Sequence, residues 1–246
     1  MGYLIFVPAY NAAATLCDVI KRIPRDVYCA ADGILLQDDG STDNTFGVAL
    51  ALARDFKKIT VVRNSHNMGY GGTKKKAYSY CLANGYNAIV MVHGDGQHDP
   101  EYITSLLAPI LERKIDVVLG SRMLGKPVSG GMPLWKWVGN KTLTWIANRA
   151  LGLQLTDYHT GYRAYSRHAL AALDLPTLND GHGISFDIIC RAVREGLSIA
   201  EVGVPTYYGI GSRSISLVTC LHYGCYVSWA AIKWSCSQKD RRYKAN

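Results

Sequence analysis

The stretch Ala88-Ile-Val-Met-Val92-His93-Gly94-Asp95-Gly96-Gln97-His98-Asp99-Pro100 decides how the chain is read. Its first five residues form an apolar run too short for a buried helix, and their β-branched content favours a buried strand. Two glycines then bracket Asp95, and Pro100 stands where a helix over residues 100–113 begins. Strand, glycine-flanked carboxylate and helix, in that order, make one unit of a parallel sheet. The polar residues fall at the carboxyl end of the strand, where open α/β sheets bind ligands.

The same unit recurs on both sides. Residues 3–7 are a strand ending at Pro8, and residues 12–23 have helical period and stop before Pro24. Residues 33–37 form a second strand running into Asp38-Asp39-Gly40, followed by a helix over 43–56. A third strand covers 59–62, a helix covers 70–84, and a fifth strand covers 116–119. Apolar strands alternating with helices predict an α/β domain, Rossmann-like, with a mostly parallel sheet covered by helices on both faces. Farther on come a Gly/Pro-rich loop over 125–132 and a helix over 134–151 carrying Trp135, Trp137 and Trp145. Helices over 164–173 and 184–194, a strand over 198–206, a helix over 214–235 and a polar basic tail over 238–246 complete the reading. No linker separates two domains. The expected division is a domain over 1–212 and a C-terminal amphipathic helix with a basic tail over 213–246, packed on or near it.

Composition narrows the classes. At 48% hydrophobic over 246 residues the chain can bury a core, which excludes disorder. Its 27 basic and 19 acidic residues give a net charge of +8, and the surplus is uneven. Residues 1–120 hold 12 of each sign, whereas residues 121–246 hold 15 basic and 7 acidic. No apolar run reaches the roughly 18 residues of a spanning helix, and no secretory signal opens the chain. The seven cysteines lack a CxxC pair, which argues against a disulfide framework or zinc cluster and for a reducing compartment. The basic surplus permits nucleic acid, but no recognition motif supports it.

Five strand ends contribute polar or glycine residues to one edge: Pro8, Tyr10 and Asn11; Asp38 and Asp39; Asn64, Asn67, Gly69, Gly71 and Gly72; His93, Asp95, Gln97 and His98; Ser121 and Arg122. Residues 69–74 lack the third glycine of a dinucleotide fingerprint, and residues 120–127 end a near P-loop in proline, so both motifs fail. The glycines at 69, 71 and 72 serve either close approach to a diphosphate or ribose, or a tight turn. Asp95, with Gln97 beside it, suits a divalent cation bridging phosphates. His93 reads either as a third ligand or as a hydrogen-bonded loop residue. Ser41 or Asp43 caps the following helix, which leaves Asp38 and Asp39 free to accept hydrogen bonds from a base. Arg122, Arg163 and Arg213 are candidates for holding phosphates bidentately, with solvated surface roles as the alternative.

Six segments in order carry a resemblance: Val7-Pro8-Ala9-Tyr10-Asn11, Gln37 to Asp43, Asn67 to Gly72, Gly94 to Pro100, Gly120-Ser121-Arg122, and Asp157 to Arg163. Together they resemble family 2 glycosyltransferases, in the branch that contains dolichol-phosphate mannose synthase and bacterial polyprenyl-phosphate glycosyltransferases. The likeness covers about residues 3 to 215. It implies a GT-A nucleotide-diphospho-sugar transferase fold and inverting transfer of a hexose from a nucleotide-diphosphate sugar to a polyprenyl phosphate, with Mg²⁺ or Mn²⁺. Pro8, Tyr10 and Asn11 would line the nucleotide and Asp39 would bind its base, with Asn67, Gly69 and Gly94 in the same donor site. Asp95 and Gln97 would hold metal and diphosphate, while His93 replaces the family's first metal-binding aspartate. Arg122 and Arg163 match the motifs near acceptor and phosphates, and Asp157 matches the acidic residue before Thr160-Gly161-Tyr162. Ala12 replaces a common glutamate, and Lys136-Trp137 stands where an arginine pair is frequent.

A phosphate acceptor is already a nucleophile, so a strong base is dispensable; for a hydroxyl acceptor Asp157 is the first candidate base. The aromatic and basic helices over 134–151 and 214–235 suit an anionic membrane surface, or a core or dimer face. The expectation is a cytoplasmic enzyme, peripheral on the membrane, with room for a homo-oligomer or a membrane partner protein. Alternatives are a transferase with a glycan or other hydroxyl acceptor, and a nucleotide-sugar-binding pseudoenzyme disabled by His93.

Overall fold

The computed structural model of the chain describes residues 2–125, 127–206, 208 and 217–244. Seven strands form one sheet in the order β3-β2-β1-β4-β6-β5-β7. They are β1 (Tyr3–Ala9), β2 (Gly33–Asp38), β3 (Ile59–Arg63), β4 (Ala88–Met91), β5 (Val117–Ser121), β6 (Arg163–Ser166) and β7 (Ile199–Gly203). The helices are α1 (Leu16–Lys21), α2 (Arg25–Ala30), α3 (Thr45–Asp55), α4 (Gly69–Ala83), α5 (Ile103–Arg113), α6 (Leu134–Leu151), α7 (Arg167–Ala172), α8 (Ile184–Arg194) and α9 (Leu217–Lys244). The expected mixed, mostly parallel sheet is observed. Within β1, Tyr3, Ile5 and Val7 enter one core with α1, α3 and α5, while Leu4 and Phe6 enter the other with α4, α6, α7 and α8. Continuous apolar strands thus reflect burial on both faces.

Residues 163–166 correct the sequence reading. They were expected to open a helix over 164–173; instead they form β6, antiparallel to both β4 and β5. The strand fills the gap between two parallel blocks, and only Ser166 turns the chain into α7 by accepting from the Ala169 N–H at 2.9 Å. The first helix is also shorter than expected. Asn11 takes a positive φ of 47°, and the Ala12 and Ala13 N–H groups donate to Thr45 and Asp43. The chain becomes helical only at Leu16. The polar segment 238–246 was expected to be a tail; α9 continues through it to Lys244. Val227 and Ala231 bury α9 in the second core, beside α6. The boundary expected at 212/213, and Arg213 with it, lie outside the described residues.

Candidate active site

The carboxyl ends of β1 and β2 lie level, with Ala9 paired to Asp38, and β4 ends three residues earlier, with Met91 opposite Phe6. A cavity of about 1090 Å³ opens above them. At one end stand Pro8, Tyr10, Asp39, Asn67 and Gly69. In the middle stand Lys74, His93, Gly94, Asp95, Gln97 and Arg122. The far end runs between α6 and α9, past Trp135, Gly139, Leu143, Ile146, Leu221 and Gly224. Polar and apolar limbs therefore form one continuous cleft.

At the polar end, Asp39 is buried and its Oδ1 accepts from Asn64 Nδ2 at 2.7 Å and from the Met68 N–H at 2.9 Å. Oδ2 is the oxygen left for a ligand. Asp38, expected to be free, is spent on structure: it accepts from the Ser41 N–H and pairs with Arg63 at 3.1 Å. Asn11 is outside the cleft lining, because its Oδ1 accepts from the Thr42 N–H, the Thr42 hydroxyl and the Asp43 N–H. It staples the β2–α3 turn to β1. Gly71 and Gly72 also serve packing. Their N–H groups donate to the Asp180 carbonyl at 2.8 and 3.2 Å, and a Cβ on Gly71 would lie 2.3 Å from the Asn179 carbonyl oxygen. The close approach is made by the protein's own backbone.

Asp157, Arg163 and Arg122 form the structural heart of the other side. Arg122 grips Asp157 through Nε at 2.7 Å and Nη2 at 3.0 Å, and its Nη1 donates to the Tyr208 hydroxyl at 3.2 Å. Asn140 Nδ2 and the His159 N–H also donate to Asp157. Glu201 on β7 fixes the loop by accepting from the Thr156 and Asp157 N–H groups. Burial alone would raise the Asp157 carboxyl, but the Arg122 charge and hydrogen bonds outweigh it and hold it well below the usual carboxylate range. Asp157 is fully buried, is saturated with donors and does not line the cleft. Arg163 is likewise buried, and its guanidinium donates to the carbonyls of Thr160, Ser185 and Tyr158. Neither matches the expected contact with substrate. Arg122 alone of the two arginines lines the cleft.

Gly161 explains where His93 sits. A Cβ on Gly161 would lie 2.3 Å from His93 Cε1 and 2.7 Å from the Tyr70 hydroxyl. The His93 ring fills that hollow, 5.2 Å from the His98 ring, with Nε2 buried and without a hydrogen-bond partner. Burial, aided by Lys74 and Arg122 against the pull of Asp95, lowers its imidazole to about 4. The sequence reading missed Lys74, Tyr70, His159, His182 and Tyr208, all of which line the cleft.

Residues 4–174 match the family described as Glycosyl transferase family 2. The chain belongs to that family. It is 31% identical over 207 residues to a polyprenol monophosphomannose synthase of Mycolicibacterium smegmatis, covering 82% of this chain and 76% of that one. It is 32% identical over 209 residues to an undecaprenyl-phosphate mannosyltransferase of Micrococcus luteus, covering 83% of each. It is 31% identical over 222 residues to a UDP-N-acetylglucosamine–dolichyl-phosphate N-acetylglucosaminyltransferase of Methanococcus voltae, covering 84% of this chain and 85% of that one. A solved glucosyl-3-phosphoglycerate synthase of Mycobacterium tuberculosis, in complex with Mn²⁺, UDP-glucose and phosphoglyceric acid, shares the GT-A fold with a TM-score of 0.70. That pair is 20% identical, over 95% of this chain and 79% of the other. The same enzyme has been solved with Mg²⁺ and UDP.

That synthase therefore takes Mn²⁺ or Mg²⁺. Among the described residues no three His, Cys, Asp or Glu side chains gather to hold an ion. Asp95 and Gln97 line the cleft together and offer the oxygen donors that Mg²⁺ and Mn²⁺ favour. Asp95 Oδ1 already accepts from the Gln97 N–H at 3.0 Å. The pair fits an ion completed by phosphate oxygens and water. His93, packed on Gly161, is not part of that oxygen set.

Proposed function

We propose that this family 2 enzyme transfers a hexose from a nucleotide-diphosphate sugar to the phosphate of a polyprenyl phosphate, inverting the anomeric centre, at a membrane surface. The observation that carries the reading is the single cleft joining the Asp39 end to the apolar groove between α6 and α9. A nucleotide needs the first limb and a polyprenyl chain the second, with the reacting phosphates meeting near Asp95 and Arg122. The relatives named for polyprenyl-phosphate transfer support the same acceptor.

In this account Asp39 Oδ2 accepts from the base, while Tyr10, Asn67 and Gly69 line the nucleoside. A divalent cation held by Asp95 and Gln97 would neutralise charge building on the leaving diphosphate. Arg122, aimed by Asp157, holds a phosphate of either reactant. An acceptor phosphate oxygen forms the new bond to the sugar's anomeric carbon as the bond to the diphosphate oxygen breaks and its electron pair leaves with the nucleotide. No proton has to move, so the cleft needs no general base, in keeping with the buried and occupied Asp157.

Around the groove the helices expose Leu134, Trp135, Val138 and Trp145 on α6, and Leu221, Trp229 and Ile232 on α9. Lys141 lies over Trp137 at 4.4 Å and Lys233 over Trp229 at 5.0 Å. Among the described residues no helix is long and apolar enough to cross a membrane. Such helices lie in the interface and suit anionic lipid. The test is a screen of UDP- and GDP-hexoses against undecaprenyl phosphate, dolichyl phosphate and an oligosaccharide, with Mg²⁺ or Mn²⁺. A sugar-lipid product is expected; transfer only to the oligosaccharide, or none at all, would overturn the acceptor assignment.

A further inference from the structure

Helix α4 carries three consecutive lysines, and they do not share one fate. Lys75 pairs with Asp180 and Lys76 donates to Asn64 Oδ1 at 3.0 Å. Lys74 turns the other way, between Gly71, Ala77 and Tyr78, and is 1% exposed. Its ammonium lies 3.8 Å from the centre of the Tyr70 ring and 3.4 Å from Ser185 Oγ. Among the described residues no carboxylate lies within ion-pairing distance of it. Burying a cation without an anion is costly, and here a second cation is close. The Arg163 guanidinium, held by backbone carbonyls, donates to the Ser185 carbonyl at 2.7 Å. Burial, with Arg163 adding to it, pushes the Lys74 ammonium well below its ordinary range. The surrounding cleft wall supplies His93 and His182, both neutral imidazoles lowered by burial. Asp95 is the one carboxylate lining this middle stretch of the cleft. Lys74 thus faces the cleft as a buried amine with no carboxylate of the described residues paired to it.

We infer that Lys74 binds a phosphoryl oxyanion of the reactants directly, without a metal ion. This rests on the transferase reading above and adds a protein cation to the site whose usual first metal-binding aspartate is His93. Two phosphoryl groups enter the cleft: the diphosphate of the donor and the phosphate of the acceptor. Either would give the ammonium its anion and hydrogen-bond acceptors, with charge-assisted bonds in a dry setting. Tyr70, under the ammonium, limits how far it can move, so the oxyanion must come to Lys74 from the cleft side.

The test compares the wild-type chain with Lys74→Met, which keeps the stem and removes the charge. Lys74→Gln serves if the methionine variant does not fold. Binding of UDP, GDP and farnesyl phosphate is measured by calorimetry in EDTA and again in Mn²⁺. The inference predicts that wild type binds a nucleoside diphosphate or farnesyl phosphate in EDTA, and that Lys74→Met weakens that binding by about tenfold or more. Its unliganded melting temperature should equal or exceed that of wild type, because a buried amine without an ionic partner has gone. The arm that weakens identifies donor or acceptor phosphate as the group bound. Unchanged affinity in both arms would overturn the inference while leaving the transferase reading intact. So would nucleotide binding that needs Mn²⁺ and is indifferent to Lys74, if farnesyl phosphate fails to bind wild type in EDTA. If neither nucleotide binds wild type with or without metal, the transferase reading fails and this inference falls with it.

Discussion

Asp157→Asn exchanges one oxygen for an amide and removes one buried charge. Asp157 accepts five hydrogen bonds: three from Arg122, one from Asn140 Nδ2 and one from the His159 N–H. An asparagine has a single acceptor oxygen. Whichever way it is turned, its NH₂ faces donors, and Arg122, at 13% side-chain exposure, loses its counter-charge. Breaking one partner of a buried ion pair costs about 3–5 kcal/mol. For a chain of this size that lowers the melting temperature by roughly 6–20 °C. Calorimetry or urea unfolding measures it directly. Adding Arg122→Leu removes the orphaned cation, so the double variant should be less destabilised than the sum of the two single changes. Transfer activity should fall in all three variants, since Arg122 is either no longer held in place or absent. If Asp157→Asn instead stays within about 1 kcal/mol of wild type and loses only turnover, the carboxylate is working as a base and the structural assignment is wrong.

Other consequences are open to measurement. A Cβ on Gly139 meets nothing within 4 Å, so Gly139→Leu should fold with equal or higher stability, by about 0.5–1 kcal/mol. By filling the groove it should cut transfer to undecaprenyl phosphate by about a hundredfold and leave nucleotide binding, read by thermal shift, unchanged. His93 and His159 are both lowered to about 4 by burial. The unfolded chain therefore takes up protons first as pH falls below the ordinary histidine value. Stability should be full above about pH 6.5 and decline toward pH 4, by on the order of 2 kcal/mol per imidazole at pH 5, which urea midpoints across that range would track. Trp145→Ser and Trp229→Ser should each weaken co-sedimentation with phosphatidylglycerol vesicles by about tenfold, with no change in binding to neutral nucleosides.

The first half of the fold was legible because β1, β2 and β4 are buried on both faces and end at Ala9, Asp38 and Met91, just before the polar residues of the sheet edge. The short strand β6 was not. Arg163-Ala-Tyr-Ser has no alternation, and only the gap between β4 and β5 makes it a strand. Motif residues pointed to the right cleft without revealing what each one touches. Asn11, Asp157 and Arg163 look like ligand groups in a linear reading because Thr42 and Arg122, which hold the first two, lie 30 or more residues away, and Arg163 is held by backbone carbonyls. Lys74 hid inside a lysine run that reads as a solvated face. The signal was present: Gly71, Lys74, Ala77, Tyr78 and Cys81 share one helical stripe, and all five are buried.

The central claim is that a phosphate oxygen of the acceptor becomes the glycosidic oxygen. Undecaprenyl phosphate carrying ¹⁸O in its non-bridging positions, turned over with the UDP- or GDP-hexose that the enzyme uses, tests it at the bond that forms. The account predicts a product whose sugar–phosphorus bridge holds ¹⁸O, together with a released nucleoside diphosphate free of label. A sugar joined through an unlabelled oxygen, or one found only on a hydroxyl acceptor, would contradict it.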